Sequence, residues 1–379
     1  MKLFKSLLVA PATLGLLAPM SATANEVTIS DFNPAIETTL LAGGEGLVDS
    51  DDHDGGFSET TTASFSADFA IGAVDGTGIS TGVTDGQEAI EAYYGFQIDL
   101  NTSFTGEDSL DISIDAGNAG GSATEFDLNG GVTTAASTTT TDILNVDGVS
   151  YTFPVGGATV MVGDNTDGSA LFSTACTYGG PSNTLDDCGN VNAAFVGGGT
   201  MIGASYDFEN GFTTAIGYAG GGSTTSGLMT KEGLDAYGIN AMYTGDNYGV
   251  SVSYALVEAT TTTDDTYTAV NAYWSPEGFP SVSVGYEWGI DDSEPATEDG
   301  LTSYFIGVES EVGPGTLGAA LGTKTPTTED GTEQLMYEAY YSYPVNDGMT
   351  ITPLVYIKEN TTAGTPDETG ILVKTSFSF

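Results

Sequence analysis

Arginine is absent from this chain of 379 residues, and six lysines and one histidine stand against 52 acids, a formal net charge of −46. So acidic a surface repels a phosphate backbone, which excludes nucleic acid as a partner. The one histidine, His53, sits in a polar N-terminal stretch, with no second histidine to share a metal shell or a proton relay. No segment after the N-terminus has 18 consecutive apolar residues, so helical membrane spans are excluded. Cysteine is nearly absent too. Cys176 and Cys188 lie 12 apart in a stretch rich in Gly, Asn, Ser and Asp, and in an exported chain they read as a disulfide stapling that loop. A metal or nucleophile role would need a nearby histidine or a second cysteine pair.

The acids are abundant enough that some pair always looks placed for acid–base work, yet no serine–histidine hydrolase site can be assembled. The expectation is a protein that is not an enzyme, with no catalytic residue, no cofactor and no metal site. Asp51-Asp52-His53-Asp54, Asp264-Asp265 and Asp291-Asp292 are acidic enough for weak calcium binding. They lack the glycine and glutamate spacing of a calcium loop, and hydration of the surface accounts for them.

What the chain does have is 19 Tyr, 17 Phe, 53 Gly and many β-branched residues in short alternating runs. Residues 1–24 read as a secretory signal: Lys2 and Lys5, an apolar core from Leu7 to Leu17, and a small-residue cleavage site at Ala22-Thr23-Ala24. Residues 25–60 are acidic and weakly patterned, a linker or small plug. From residue 61 to 379 the period is two, and sixteen strands are predicted, from 62–73 and 91–102 through 108–117, 141–153 and 157–165 to 348–358 and 369–379.

The connections alternate in length. Short turns rich in Gly, Asn, Asp and Pro fall at Gly106, 154–156, 209–211, 245–247, 276–278, 312–314 and 345–347. The others are long and polar, at 74–90, 118–140, 166–197, 220–232, 291–300, 324–332 and 359–368; only 259–263 is brief. Alternating faces, an even count and one-sided long loops predict an all-β fold, a transmembrane antiparallel β-barrel of sixteen strands, with apolar residues toward lipid and polar ones toward a wet lumen. In the last strand Ile371, Val373, Thr375, Phe377 and Phe379 share one face and Lys374, Ser376 and Ser378 the other. The same parity puts Asp99, Asp111, Asp115, Glu287 and Glu338 on the lumen, opposed by Lys358 and Lys374, which predicts a cation-attracting channel. A secreted or surface-attached structural β-protein, an adhesin or β-solenoid, would also explain the Thr, Gly and acidic bias. It would not need the alternation of connections or the terminal phenylalanine.

The segments Val270 to Tyr286 (VNAYWSPEGFPSVSVGY), Glu338 to Leu354 (EAYYSYPVNDGMTITPL) and the ending ILVKTSFSF resemble cyanobacterial outer-membrane porins, relatives of the OprB-type carbohydrate-selective family. YYGFQIDLNTSFTGEDSL and Tyr151 to Gly156 fit the same pattern, so the resemblance spans residues 90–379. It implies passive diffusion of small hydrophilic solutes and inorganic ions, an outer-membrane location, insertion by the barrel-assembly machinery through Phe379, and homotrimers. It also implies that the third long loop, 166–197, folds inward to narrow the lumen or else stays extracellular. Sugar selectivity, the other reading within the family, would want arginine in the lumen, and there is none. The S-layer-homology module that usually precedes the barrel is missing here, so cell-wall attachment does not carry over.

Overall fold

The computed structural model describes residues 61–75, 90–118, 125, 143–195, 199–221, 227–231, 233–292, 300–328, 331–360 and 366–379. The expected signal at 1–24 and linker or plug at 25–60 lie outside them. The strands are β1 (Thr61–Asp75), β2 (Glu91–Thr102), β3 (Ser109–Gly117), β4 (Asn145–Val155), β5 (Ala158–Asp164), β6 (Thr200–Asp207), β7 (Phe212–Gly220), β8 (Asp235–Thr244), β9 (Tyr248–Thr260), β10 (Thr263–Trp274), β11 (Ser281–Ile290), β12 (Gly300–Val312), β13 (Gly315–Thr323), β14 (Thr327–Thr328), β15 (Leu335–Asn346), β16 (Met349–Lys358) and β17 (Glu368–Ser378).

Sixteen of these are full strands, each antiparallel to its sequence neighbours; β14 is a two-residue patch on β12, so β13 pairs directly with β15. β1 pairs with β2 on one side and β17 on the other, and this closes the ring and removes both edges. The seam is fastened at its end. Phe65 and Phe379 exchange backbone N–H···O bonds of 2.9 and 3.0 Å, and their rings stack 5.8 Å apart.

The alternation in the sequence becomes two faces. Ile202, Ile216, Ile239, Val250, Val284, Trp288, Ile306 and Val355 stand exposed on the outside. Asp68, Asn240, Ser253, Asn271, Ser283, Ser303 and Glu338, on the alternate parity, are buried inside. An exposed apolar exterior around a polar interior is the inverse of a soluble β-protein and is what a bilayer requires.

Most strand ends lie within a few residues of the expected ones, and the connections show why. The fourth strand starts at Asn145 rather than 141, since Ile143 and Leu144 belong to its approach, and it runs through Pro154 opposite Thr159. The brief connection at 259–263 is a tight turn in which Thr260 Oγ1 accepts from the N–H groups of Thr262 and Thr263, so the thread Thr260–Thr263 continues two long strands without a loop. The β2–β3 turn uses Gly106 at φ +84°, a conformation other residues resist. There the Asp108 carboxylate accepts bonds from the Tyr151, Ser103 and Thr105 hydroxyls and the Phe104 and Thr105 N–H groups, which hold it well below the usual carboxylate range, Tyr151 foremost.

Ile239, at the middle of β8 and 53% exposed, tests the outer face. Ile239→Lys is expected to cost about 2–4 kcal/mol of folding free energy in reversible unfolding from lipid bilayers, the charge penalty near a bilayer midplane.

Candidate functional site

The connection between β5 and β6 folds into the barrel and lies along its inner wall. Every strand backbone beneath it is already engaged in the ring, so the loop's amides find side chains instead. The outbound arm is extended and meets a new strand at every second residue. Ser173 exchanges bonds with the Asn240 side chain on β8, N–H to Oδ1 and Nδ2–H to carbonyl, both 3.0 Å. Ala175 N–H donates to Ser251 Oγ on β9 at 2.8 Å, Thr177 N–H to Ser283 Oγ on β11 at 2.9 Å, and Gly179 N–H to Glu309 Oε1 on β12 at 2.9 Å.

β10 is skipped by that arm and taken by the returning one. Asn271 Nδ2–H donates to the Cys188 carbonyl at 2.9 Å, and Ser303 Oγ–H to the Gly189 carbonyl at 3.2 Å. Glu287 on β11 then accepts from Asn192 N–H, Asn192 Nδ2–H and Ala193 N–H, each at 2.8 Å. The two arms are joined where they cross β10, by a disulfide between Cys176 and Cys188 with Cα atoms 6.4 Å apart.

Glycines make room for this contact. A Cβ on Gly285 would sit 1.8 Å from the Cys188 carbonyl oxygen, and one on Gly217 would sit 1.9 Å from that of Gly168. Apolar side chains of the loop fill the rest: Tyr178, Leu185 and Cys188 pack with Phe305, Met336, Tyr340 and Leu354, and Phe195 packs with Met201, Ala219, Ala236 and Ala255.

The loop therefore divides the expected lumen residues. Glu287 and Glu338 are on the interior face, but at 2% and 4% exposure they lie beneath the loop. This corrects the expectation that they meet lumen water; Glu287 is taken by the three loop donors, and Glu338 Oε1 accepts from the Tyr178 hydroxyl at 2.6 Å. Lys358 is half-buried at the top of β16 and forms an ion pair with Glu125 of the β3–β4 connection. Lys374 is half-buried on the interior face of β17, opposite Ala70 and Thr352.

Asp99, Asp111 and Asp115 stay together on the wall the loop leaves bare. Ser113 Oγ–H and Gln97 Nε2–H donate to Asp99 Oδ1 at 2.6 and 2.7 Å, and Asn101 Nδ2–H and Ser109 Oγ–H to Asp111 at 2.6 and 2.7 Å. Asp115 faces both Asp99 and Asp147. Beside them a polar recess of about 270 Å³ is lined by Asp111, Ser113, Asp147, Ser150, Asn165 and Asp167. Burial and the Asp147 charge raise the Asp167 carboxyl above its ordinary value.

Parity alone did not single out Asn240, Ser251, Asn271, Ser283, Ser303 or Glu309. The available signal was small amides and hydroxyls recurring at mid-strand on the inner face of β8 to β12, where an open lumen would tolerate anything polar. Among the described residues no group of three or more His, Cys, Asp or Glu is placed to hold a metal ion. In the Asp264-Asp265 and Asp291-Asp292 pairs, Asp265 accepts from Asp292 N–H and the Tyr267 hydroxyl, a local cap; Asp51 to Asp54 lie outside the described residues.

A closed barrel of sixteen antiparallel strands with an apolar exterior and an inward third long loop defines a transmembrane barrel of the bacterial porin type. Solved structures agree on the fold. Pseudomonas putida OprB matches with a TM-score of 0.58 at 11% identity, over 85% of this chain and 95% of that one. A loop-deletion mutant of OmpT, an outer membrane protein of Vibrio cholerae, matches at 0.56 and 12%, over 84% and 100%. A Rh. blastica porin mutant matches at 0.51 and 14%, over the same shares. No protein-family model matches the chain, and no curated protein does.

Two measurements check the docked loop. Gly285→Ala forces the Cys188 carbonyl off the wall, so the barrel should keep its folded gel mobility while the loop becomes protease-sensitive, with a loss of about 1–3 kcal/mol typical of overpacking. Asp187 is pushed up from 3.8 to about 6 by burial and the Glu287 charge, against the Gly189 N–H bond that lowers it. A carboxyl raised on folding favours the native state when protonated, so its contribution is full below pH 3.8 and lost as pH rises through about 6. Thermal unfolding of Asp187→Asn should accordingly lack the part of the stability loss that the wild type shows across that window.

Proposed function

We propose that this protein is an outer-membrane porin through which small hydrophilic solutes and inorganic ions diffuse passively, with a preference for cations. The observation that carries the reading is the third long loop lying along the inner wall of a closed barrel, so that the space left to solutes runs beside β2 to β5. That wall presents Asp99, Asp111 and Asp115 together, with Asp147 and Asp167 at its margin. A narrowed wet channel filters by width and by charge at its tightest point, and carboxylates there concentrate cations and repel multivalent anions.

Lys374 lies on the interior face of β17, and Lys358 is paired with Glu125. The likeness in fold to OprB, together with the sequence resemblance to cyanobacterial porins, favours a relation to that group. A sugar-selective channel is the weaker version, because no arginine is available to bind sugar hydroxyls in the lumen. Insertion by the barrel-assembly machinery through the terminal Phe379, and assembly as a homotrimer in outer-membrane lipid, belong to the same reading.

Single-channel recording of detergent-extracted protein in a planar bilayer under a salt gradient tests it. Discrete open steps with a cation-biased reversal potential are expected, and Asp99→Asn, Asp111→Asn and Asp115→Asn combined should move that potential toward zero. Silence from folded, inserted protein would refute the channel. An anion bias would keep the channel and discard the charge argument.

A further inference from the structure

The outer face of the barrel meets lipid headgroups at both ends, yet its charges stand at one end alone. Among the acids of the strands, five take the outward parity: Asp75, Asp164, Asp235, Glu258 and Asp264. All five lie within three residues of a strand end on the side of the long connections, the extracellular side of a porin-type barrel. Glu258 and Asp264 stand opposite each other on β9 and β10, and Asp235 N–H donates to Glu258 Oε2 at 3.2 Å, so three carboxylates form one arc of the rim. Past the strands Glu333 and Glu359 extend it, held by the outward Tyr304 and Tyr337 hydroxyls. The opposite rim carries Phe208, Phe212, Tyr248, Trp274 and Phe279, exposed and uncharged.

No cation answers the acids from the outer face. The lysines among the described residues are Lys231, Lys324, Lys358 and Lys374. Lys358 and Lys374 are on inward positions, and Lys231 lies in the β7–β8 connection. Lys324, just past β13, donates to the Glu359 carbonyl at 3.3 Å. No described strand therefore presents a positive side chain to lipid.

This limits the headgroup the rim can meet. A carboxylate only accepts hydrogen bonds, and an ionised phosphate does the same, so the two repel and cannot bond. In every phospholipid the group next to glycerol is a phosphate, whatever caps it. In a glycolipid that group is a sugar, whose hydroxyls donate to carboxylates and accept from other hydroxyls. Just below the acids, the outward face adds the hydroxyls of Thr266, Thr268 and Thr302 and the exposed rings of Tyr237, Tyr254 and Trp288. Rings with a polar edge suit the interface, and hydroxyls that both donate and accept suit a polyol.

We infer that the extracellular rim fits an outer leaflet of glycolipids with neutral sugar headgroups and disfavours one rich in phosphate. The inference needs only that the barrel spans the membrane, and it stands whether or not the channel conducts.

The chain's two tryptophans supply the probes. Trp288 lies below the acidic arc, opposite Thr268 of β10, and Trp274 ends β10 at the other rim. The folded barrel is placed in phosphatidylcholine vesicles with a growing share of one brominated lipid. That lipid is a diacylglycerol bearing a neutral disaccharide, phosphatidylethanolamine, or phosphatidylglycerol. Contact quenching gives each relative affinity, read at Trp288 in Trp274→Phe and at Trp274 in Trp288→Phe. With chelator present, Trp288 should favour the glycolipid over phosphatidylglycerol by about five-fold, the scale of one charge beside an anionic surface. It should also favour it over phosphatidylethanolamine, and Trp274 should show neither preference. Glu258→Gln combined with Asp264→Asn should bring the glycolipid and phosphatidylglycerol toward equality at Trp288, whereas Asp246→Asn in a turn at the other end should not. Folded gel mobility checks each variant, and Asp264→Asn alone is read should the double variant not fold. Equal affinities at Trp288, tighter phosphatidylglycerol, or phosphatidylethanolamine matching the glycolipid would overturn the assignment. So would phosphatidylglycerol overtaking the glycolipid once Ca²⁺ replaces the chelator, which would point to a phosphate leaflet bridged by metal.

Discussion

A peptide laid across the inside of a closed barrel cannot join a ladder, because every backbone group of the wall is already spent on closing the ring. Its amides must be met by side chains or remain buried and unbonded, at a cost of about 1–3 kcal/mol each. This requirement organises the interior of the present barrel. Asn240, Ser251, Ser283 and Glu309, on β8, β9, β11 and β12, receive alternate residues of an extended arm, while Asn271, Ser303 and Glu287 receive the return. Glycine is needed wherever the loop backbone itself touches the wall, as at Gly217 and Gly285. The disulfide falls where the two arms cross the same strand, so it ties together segments that the wall already holds side by side.

The second constraint is the shortage of cations. With no arginine, carboxylates inside the barrel are seldom met by a guanidinium or ammonium group, and neutral donors take the part. Tyrosine is the recurrent one: Tyr178 to Glu338, Tyr340 to Glu309, Tyr356 to Glu368, Tyr93 to Glu91, Tyr267 to Asp265. A phenol donates one strong bond and buries a ring, so each pair both satisfies a carboxylate oxygen and fills space between wall and loop. It brings no positive charge. The interior is thus hydrogen-bonded without being neutralised, and the Lys358–Glu125 pair gains its importance from that background.

The barrel was legible in the sequence because period-two alternation is a purely local signal. The strands 91–102 and 315–323 were placed with their ends as observed, and the remaining fourteen differ mainly at their margins, where turns and loops trade residues with the ladder. The interior parity of Asp99, Asp111, Asp115, Lys358 and Lys374 followed from the same rule. What parity cannot say is whether an inward side chain meets water or protein. Glu287 and Glu338 have the same alternation as Asp99, and only the path of residues 166–195 separates them. That path depends on contacts up to 160 residues apart, such as Tyr178 to Glu338. The cysteine spacing indicated that the loop was stapled, but it left open whether the loop turned inward.

The same docking also decides where charge is displayed. Residues that hold the loop need to be small, amidic or fully hydrogen-bonded, so β7 to β13 offer Gly, Ala, Asn and Ser, and their acids are capped. The part of the ring the loop does not cover is free of that demand, and there Asp99 of β2 and Asp111 of β3 are bonded by neighbours on the same wall, Ser113, Gln97, Asn101 and Ser109, donors that bring no positive charge. Packing on one side and field on the other are therefore a single arrangement. Moving the loop would uncover Glu287 and Glu338 and change the potential of the whole interior, whereas changing the charge of β2 and β3 would leave the loop where it is.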